Sequence, residues 1–333
     1  MLPSGALLIN KPIGLTSSQV VGKIKWALTN AGYAEKGFKI GHGGTLDPFA
    51  IGALIVFIGE GTKLADTYLH SKKAYDGVIT LGIAMDTGDL TGAVSAVSRV
   101  PHLALEDWQK FADEFVNQTY PQTPPMFSAK KRDGTPLYEL ARAGIEIERE
   151  PIVKKIFSFE IKTDEHPQEL LFTVHCESGT YVRVLAEDLA KKAGTLAHLK
   201  TLRRIQSSDV GVSDCLTLDE TLTEIEKKTP LAEFKNFRAL AKIASHIPSL
   251  AIDSKSRDLL WQGIQHEGAR LADACFEKYP EHRLVIARAE GIPVALFENL
   301  KNLSTFRLQR IFNEGRLHPS PGNNLREKSS EQG

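Results

Sequence analysis

The stretch that most constrains this chain is Gly41-His42-Gly43-Gly44-Thr45-Leu46-Asp47-Pro48-Phe49-Ala50-Ile51-Gly52-Ala53. Glycines let backbone approach a ligand closely, or adopt φ > 0, at no steric cost. Among them stand one imidazole and one carboxylate, five residues apart. Pro48 fixes φ just after Asp47 and biases Asp47 itself toward an extended conformation. Ile51 to Ile58 is apolar enough for a buried strand or a short buried helix. A carboxylate on a stiff turn beside a buried element suits catalysis, and the same letters also suit a tight turn with a surface aspartate.

With 333 residues there is room for one large domain and a small one. The apolar fraction of 42% and charged fraction of 25% are those of an ordinary soluble globular protein. No run of eighteen apolar residues exists, and Met1-Leu2-Pro3-Ser4-Gly5 has no basic segment leading into an apolar core. Neither a membrane span nor a secretory signal is expected, and a cytoplasmic location is. Cys176, Cys215 and Cys275 are widely spaced and odd in number, which suggests reduced thiols without zinc-ligand spacing. Net charge is zero, but Arg183 to Arg204 carries a local balance of +4. Local positive charge is what a phosphate-binding surface needs, so RNA stays open as a partner.

Taken in order, Ala6 to Ile9 is a short apolar run, followed by the turn Asn10-Lys11-Pro12-Ile13-Gly14. Lys11 there is either a phosphate contact or a solvated loop lysine. Thr16 or Ser17 can cap a helix whose apolar positions are Val20, Val21, Ile24 and Leu28. Thr62 suits the cap of another helix, and Lys72 to Gly82 reads as a strand with Tyr75 near its start. Met85 to Gly92 is dense in turn formers and acids, without the spacing of a calcium loop. Leu103 to Phe115 and Leu137 to Ala143 read as helices, with prolines and an Asp133-Gly134 turn after basic Lys130-Lys131-Arg132 between them. Ile152 to Thr163 and Leu171 to Cys176 read as strands. Thr180 is placed to cap the helix that follows, so Arg183 falls in a first turn, where the macrodipole disfavours a cation and a nearby carboxylate would offset the cost. Residues 213–246 are charged and predict linker helices. From Ile247 a small β unit is expected, with a helix at Arg257 to Gly263 and strands at 284–287, 291–298 and 306–312. The polar tail, residues 316–333, is expected to be disordered.

Two families use strings like that of residues 41–53. Nucleotidyltransferases place two histidines where this chain has Ala50 and Ala53, so the groups that bind triphosphate there are missing. The stretch Gly41 to Leu54 resembles instead the TruB family of tRNA pseudouridine synthases, with Ile51 where threonine is usual. That resemblance extends to Asn10-Lys11-Pro12, to Lys73-Ala74-Tyr75, to Thr87-Gly88-Asp89, to Cys176-Glu177-Ser178-Gly179-Thr180-Tyr181-Val182-Arg183 and to Ala197 through Arg204. It covers roughly residues 5 to 212. It implies an α+β fold, a mixed, mainly antiparallel pseudouridine-synthase sheet flanked by helices. More loosely, Phe306-Arg307 to Arg310-Ile311-Phe312 resembles the end of the PUA-like RNA-binding module, which implies such a domain at residues 247–315.

The family isomerises uridine 55 in the TΨC arm of tRNA to pseudouridine, without metal or other cofactor. The resemblance implies that Asp47 is the catalytic residue, either attacking the substrate or acting on the sugar's C2′ proton. Arg183 would hold Asp47 ionised. Tyr75 would lie against the flipped base, whose unstacking costs a few kcal/mol, and His42 would fill its vacated place. Tyr181 and Leu202 would line the pocket, and Lys63 matches a basic position close to it. The partner implied is the tRNA TΨC stem-loop, with no protein partner and no membrane. A tRNA-folding module whose catalysis is secondary is the alternative of a different class.

Overall fold

The first apolar run forms a strand buried on both faces almost throughout, β1 (Gly5–Lys11). The helix after it, α1 (Ser17–Asn30), opens on a reciprocal cap. Thr16 accepts from the Gln19 amide, and the Gln19 side chain accepts from Thr16 N. Ser17 is therefore free for a different task, described below. The computed structural model describes residues 2–128, 130–132, 135–300 and 305–314. The Asp133-Gly134 turn and the polar tail lie outside them.

The Asp47 loop is framed by β2 (Ile40–His42) and β3 (Ile51–Ile58), which pair antiparallel. Residues 51–58 are thus a strand rather than a helix, and buried almost throughout. A 3-10 turn leads into α2 (Ala65–Leu69); Thr62 does not cap it but donates back to Gly59 O at 2.7 Å. Next come β4 (Lys73–Leu81), the hairpin β5 (Ile83–Met85) and β6 (Val94–Val97), and α3 (Leu105–Asp113). Short pieces follow: β7 (Tyr120–Gln122), β8 (Lys131–Arg132), β9 (Thr135–Pro136), α4 (Leu137–Arg142) and β10 (Ile152–Lys154). The large elements resume with β11 (Ile156–Thr163), β12 (Glu169–Cys176), α5 (Val182–Lys192) and β13 (Ala197–Ser207). Then come β14 (Val210–Gly211), β15 (Leu216–Thr217), α6 (Leu218–Glu226), β16 (Phe237–Ala239) and α7 (Leu240–Ile243).

One sheet organises this unit, in the order β11-β12-β4-β13-β3-β1-β15, with β2, β14 and β16 attached at its sides. Pairing is antiparallel except at β13–β3 and β1–β15, so the fold is α+β and mainly antiparallel. The parallel seam is short, Arg203 facing Ile51 and Arg204 facing Gly52. Two cores meet there. One packs α3 and α5 on β4, β11, β12 and β13; the other packs α1 and α6 on β1 and β3. Gly52 has φ +109°, and a Cβ on it would stand 2.3 Å from Arg204 O. Only glycine allows that approach.

Residues 213–246 are not a linker. Two compact units divide at His246 and Ile247, and the earlier segment belongs to the first. β15 and β16 pair with β1, Leu218 and Ile225 enter its core, and Asn236 Nδ2 donates to Leu8 O at 3.0 Å. Their charged residues lie on outer faces, which is why composition misleads.

The second unit holds β17 (Ser249–Ala251), α8 (Ser254–Trp261), α9 (Gln265–Lys278), β18 (Leu284–Ala289), β19 (Ile292–Leu300) and β20 (Thr305–Ile311). Its four strands lie in the order β17-β18-β19-β20. α8 begins earlier than the sequence predicts because Asp253 caps it, accepting from Ser256 N at 2.8 Å. α9 was hidden because its buried positions include small or polar residues, Glu267, Gly268, Ala272 and Cys275, beside the single Leu271.

Candidate active site

Four elements from distant parts of the chain converge on Asp47. They are its own loop, the start of β4, the segment through Ser128, and the turn that opens α5. Together they enclose a cavity of about 240 Å³ lined by Asp47, Tyr75, Ser128, Tyr181, Arg183 and Leu202, among others.

The loop is gripped through its backbone. Ser17 Oγ accepts from Leu46 N at 2.9 Å. Lys11, far from being a solvated or phosphate-facing lysine, is fully buried. Its Nζ donates to Pro12 O, Leu15 O and Pro48 O at 2.9, 2.6 and 3.3 Å. Burial pulls its pKa down to about 8, with Asp47 pushing the other way. Arg204, also buried, donates to Ala53 O at 2.7 Å, Gly44 O at 3.1 Å and Thr45 O at 3.2 Å. Neither Lys11 nor Arg204 stood out as a site residue in the sequence. For Lys11 the available signal was a cation closing a largely apolar strand; Arg204 lies in a strand rich in polar residues and gave none.

The carboxylate is gripped separately. Arg183 Nε lies 3.0 Å from Asp47 Oδ2. The rest of the guanidinium points elsewhere: Nη1 donates to Thr87 O at 2.6 Å and lies 3.7 Å from Asp89 Oδ2, while Nη2 donates to Phe127 O at 2.8 Å. The contact with Asp47 is thus one-pronged. Asp89 is itself buried and held by the Thr91 amide at 3.0 Å and by Thr87 Oγ1 at 3.1 Å. The acidic turn at 85–92 therefore supplies a second carboxylate for Arg183. Among the described residues no group of three or more His, Cys, Asp or Glu is placed to hold a metal.

Arg183 is only 4% exposed at its side chain, Asp47 36%, and the open part of Asp47 faces the cavity it lines. Enclosure pushes the Asp47 carboxyl above the usual aspartate range. The Arg183 charge pulls against that, and Asp89 adds to the upward push. Arg183 thus keeps in check a shift that burial dominates.

Tyr75 is buried on β4, and its phenol is pushed up by burial and pulled back by Arg204. Tyr181, rather than Thr180, occupies the cap position of α5; Thr180 Oγ1 donates to Glu177 O at 2.8 Å. The Tyr181 backbone is pinned on both sides by one amide. Gln122 Oε1 accepts from Tyr181 N at 2.7 Å, and Gln122 Nε2 donates to Tyr181 O at 3.0 Å. Leu202 presents an apolar wall from β13. His42 ends β2 at one end of the loop, where its Nδ1 accepts from Gly44 N at 3.4 Å. Burial, then the Arg204 charge, lower its pKa. His42 and Lys63 are not among the residues lining the cavity. Lys63 is ion-paired to Glu60 within the 3-10 turn.

The arrangement is a pocket with one carboxylate paired to a buried guanidinium, two aromatic rings and an apolar wall. Sequence comparison agrees with it. Residues 32–182 match the model of the TruB family pseudouridylate synthase N-terminal domain. A tRNA pseudouridine synthase B of Syntrophotalea carbinolica is 34% identical over 318 residues, 94% of this chain and 99% of that protein. One from Geobacter sulfurreducens is 35% identical over 93% of this chain and 99% of its own length. The chain belongs to the TruB family of pseudouridylate synthases. The protein of the same name in Psychrobacter cryohalolentis is 44% identical over 215 residues; the match spans 65% of this chain and 59% of that longer relative. Among solved structures, a chain of the Cbf5-Nop10-Gar1 complex superposes with a TM-score of 0.64 at 21% identity, covering 93% of this chain and 85% of its own. At that identity the likeness is one of fold.

Proposed function

We propose that this protein converts uridine 55 in the TΨC arm of tRNA to pseudouridine, with Asp47 as the catalytic residue. The observation that carries the reading is the Asp47 carboxylate on a fixed loop, in a pocket it lines with Tyr75 and Tyr181, paired to buried Arg183. Family membership and the names of the relatives support tRNA as the substrate.

In the reaction the N1–C1′ bond breaks, the uracil turns, and C1′ bonds to C5. The proton on C5 goes to solvent and N1 gains one, so no electrons leave and no co-reactant is consumed. Asp47 acts at the sugar while ionised. Tyr75, Tyr181 and Leu202 hold the detached base and exclude water, and His42 fills the space the base leaves in the RNA. The second unit is read as a PUA-like domain that contacts RNA backbone, a term sensitive to salt. The protein would act in the cytoplasm, without a protein partner.

The test is tritium release from tRNA labelled at uracil C5. Release from position 55 that disappears in Asp47→Asn supports the reading. Binding of tRNA without release would make the protein a tRNA-binding module instead.

A further inference from the structure

Among the described residues, one polar group of the cavity wall has no hydrogen-bond partner of good geometry. Ser128 is only 4% exposed, it lines the cavity, and its Oγ has no hydrogen-bond partner among the described residues. The Tyr181 phenol is near enough for the Ser128 hydroxyl to bias its proton, yet outside hydrogen-bond geometry. Leaving a buried hydroxyl unpaired costs about 1–3 kcal/mol. Groups left in that state in a well-packed structure call for an explanation, and a ligand is one.

The backbone around Ser128 is anchored to the reacting end of the pocket. Phe127 O accepts from Arg183 Nη2 at 2.8 Å, and Ser128 N donates to Met126 O at 2.9 Å. The same guanidinium holds Asp47. A ligand touching Ser128 is therefore placed relative to the carboxylate through one rigid side chain. A serine hydroxyl needs only a χ1 step between staggered wells to turn into the cavity.

Resting on the functional reading above, we infer that Ser128 is a positioning and specificity contact, donating its hydroxyl proton to a carbonyl oxygen of the flipped uracil. The base is favoured over the ribose because Ser128 is nearly inaccessible from outside, while the ribose stays tied to the RNA backbone at the mouth. The chemistry gives a second reason. Exchanging N1 for C5 by a half-turn about the N3–C6 axis also exchanges O2 with O4. A donor aimed at one carbonyl position meets a carbonyl oxygen both before and after the turn. A hydroxyl there holds substrate and product orientations alike, and where the oxygen first met is O4 it also disfavours cytosine, whose amino group at C4 brings a proton to that place.

The experiment measures C5-tritium release by wild type and Ser128→Ala on tRNA hairpins carrying uridine, 2-thiouridine or 4-thiouridine at the target. Sulfur is a poor acceptor, so it removes the proposed bond from the substrate side. On uridine, Ser128→Ala should lose roughly tenfold in kcat/KM, the worth of one such bond. On the thio-substrate whose oxygen Ser128 meets, the two proteins should differ by less than twofold. Thermal unfolding should leave the variant as stable as wild type or more so, since it deletes a polar group with no partner. Equal losses on all three substrates, no loss on uridine, or a clear fall in melting temperature each overturn the inference while the functional reading stands. If wild type itself releases no tritium from the uridine hairpin, the functional reading fails and the role of Ser128 fails with it.

Discussion

Two sets of buried cations hold the Asp47 loop, and they differ in what they hold. Lys11 and Arg204 grip the loop by neutral carbonyls, at Pro48, Gly44, Thr45 and Ala53. Arg183 grips the Asp47 carboxylate and backs itself with Asp89. The first set holds the loop backbone; the second acts on the charge of what it carries, against the larger effect of burial. A buried cation is therefore not assigned a role by its burial, but by whether its partner titrates.

The sharpest way to break the comparison is at the carboxylate. Asp47→Asn keeps the shape of the loop, whose backbone contacts are untouched, and should cut turnover by roughly 10⁴-fold or more. Binding of tRNA should change little. If the variant turns over at a substantial fraction of the wild-type rate in the tritium assay, the carboxylate is not the reacting group.

Arg183→Lys tests the clamp. One ammonium cannot reach Asp47, Thr87 O and Phe127 O in the three directions the guanidinium spans. A loss of roughly 10²-fold in kcat is expected, with KM moving less. Near-normal kcat would show that charge alone suffices.

Substitution in the cradle should act on stability first. Arg204→Met leaves three loop carbonyls without their donor and should cost about 3 kcal/mol, read as a lower urea midpoint. Lys11→Met should cost about 2 kcal/mol by the same logic. Lys11 also has a signature in pH. Its folded pKa of about 8 lies below the unfolded value near ~10.4. Between those values the unfolded chain binds more protons, so wild-type stability gains a rising contribution with pH that the methionine variant lacks. Denaturation curves across that window that are parallel for the two proteins would show that Lys11 is not buried.

The smallest effect is a displacement of the pH profile. Asp47 must be ionised, and its pKa lies above the ordinary aspartate range. As pH falls, kcat/KM should therefore begin to drop at a higher pH than a free aspartate would dictate. Arg183→Gln removes the pull that opposes burial, so the residual activity should lose its acid limb at a still higher pH. A limb that stays in place would separate Arg183 from the titration of Asp47.

The clamp was far more legible in the sequence than the cradle. Asp47, Tyr75, Tyr181 and Arg183 sit in short local patterns, and each lines the pocket. Arg183 in a helix first turn even announced a missing carboxylate. Nothing local reveals that Thr87 O and Phe127 O compete for the same guanidinium. Lys63 is paired with Glu60, three residues earlier, and does not line the cavity. Lys11 and Arg204 were opaque because their partners are main-chain carbonyls, which carry no letter. The linker reading of 213–246 failed similarly, since strand addition to β1 through two- and three-residue pieces leaves no alternation to detect.

The bond from Arg204 to the loop has a consequence for synthesis. Its Nε donates to Ala53 O across 151 residues of chain. During translation at roughly 5–20 residues per second, the loop would leave the ribosome roughly 8–30 s before the residue that shapes it. Until then Gly52 can lie against Lys11 of β1 on one side only, and Gly44, Thr45 and Ala53 lack the donor that grips their carbonyls. A nascent chain of this kind is born without its chemistry, and acquires it in one late closure along the β13–β3 seam.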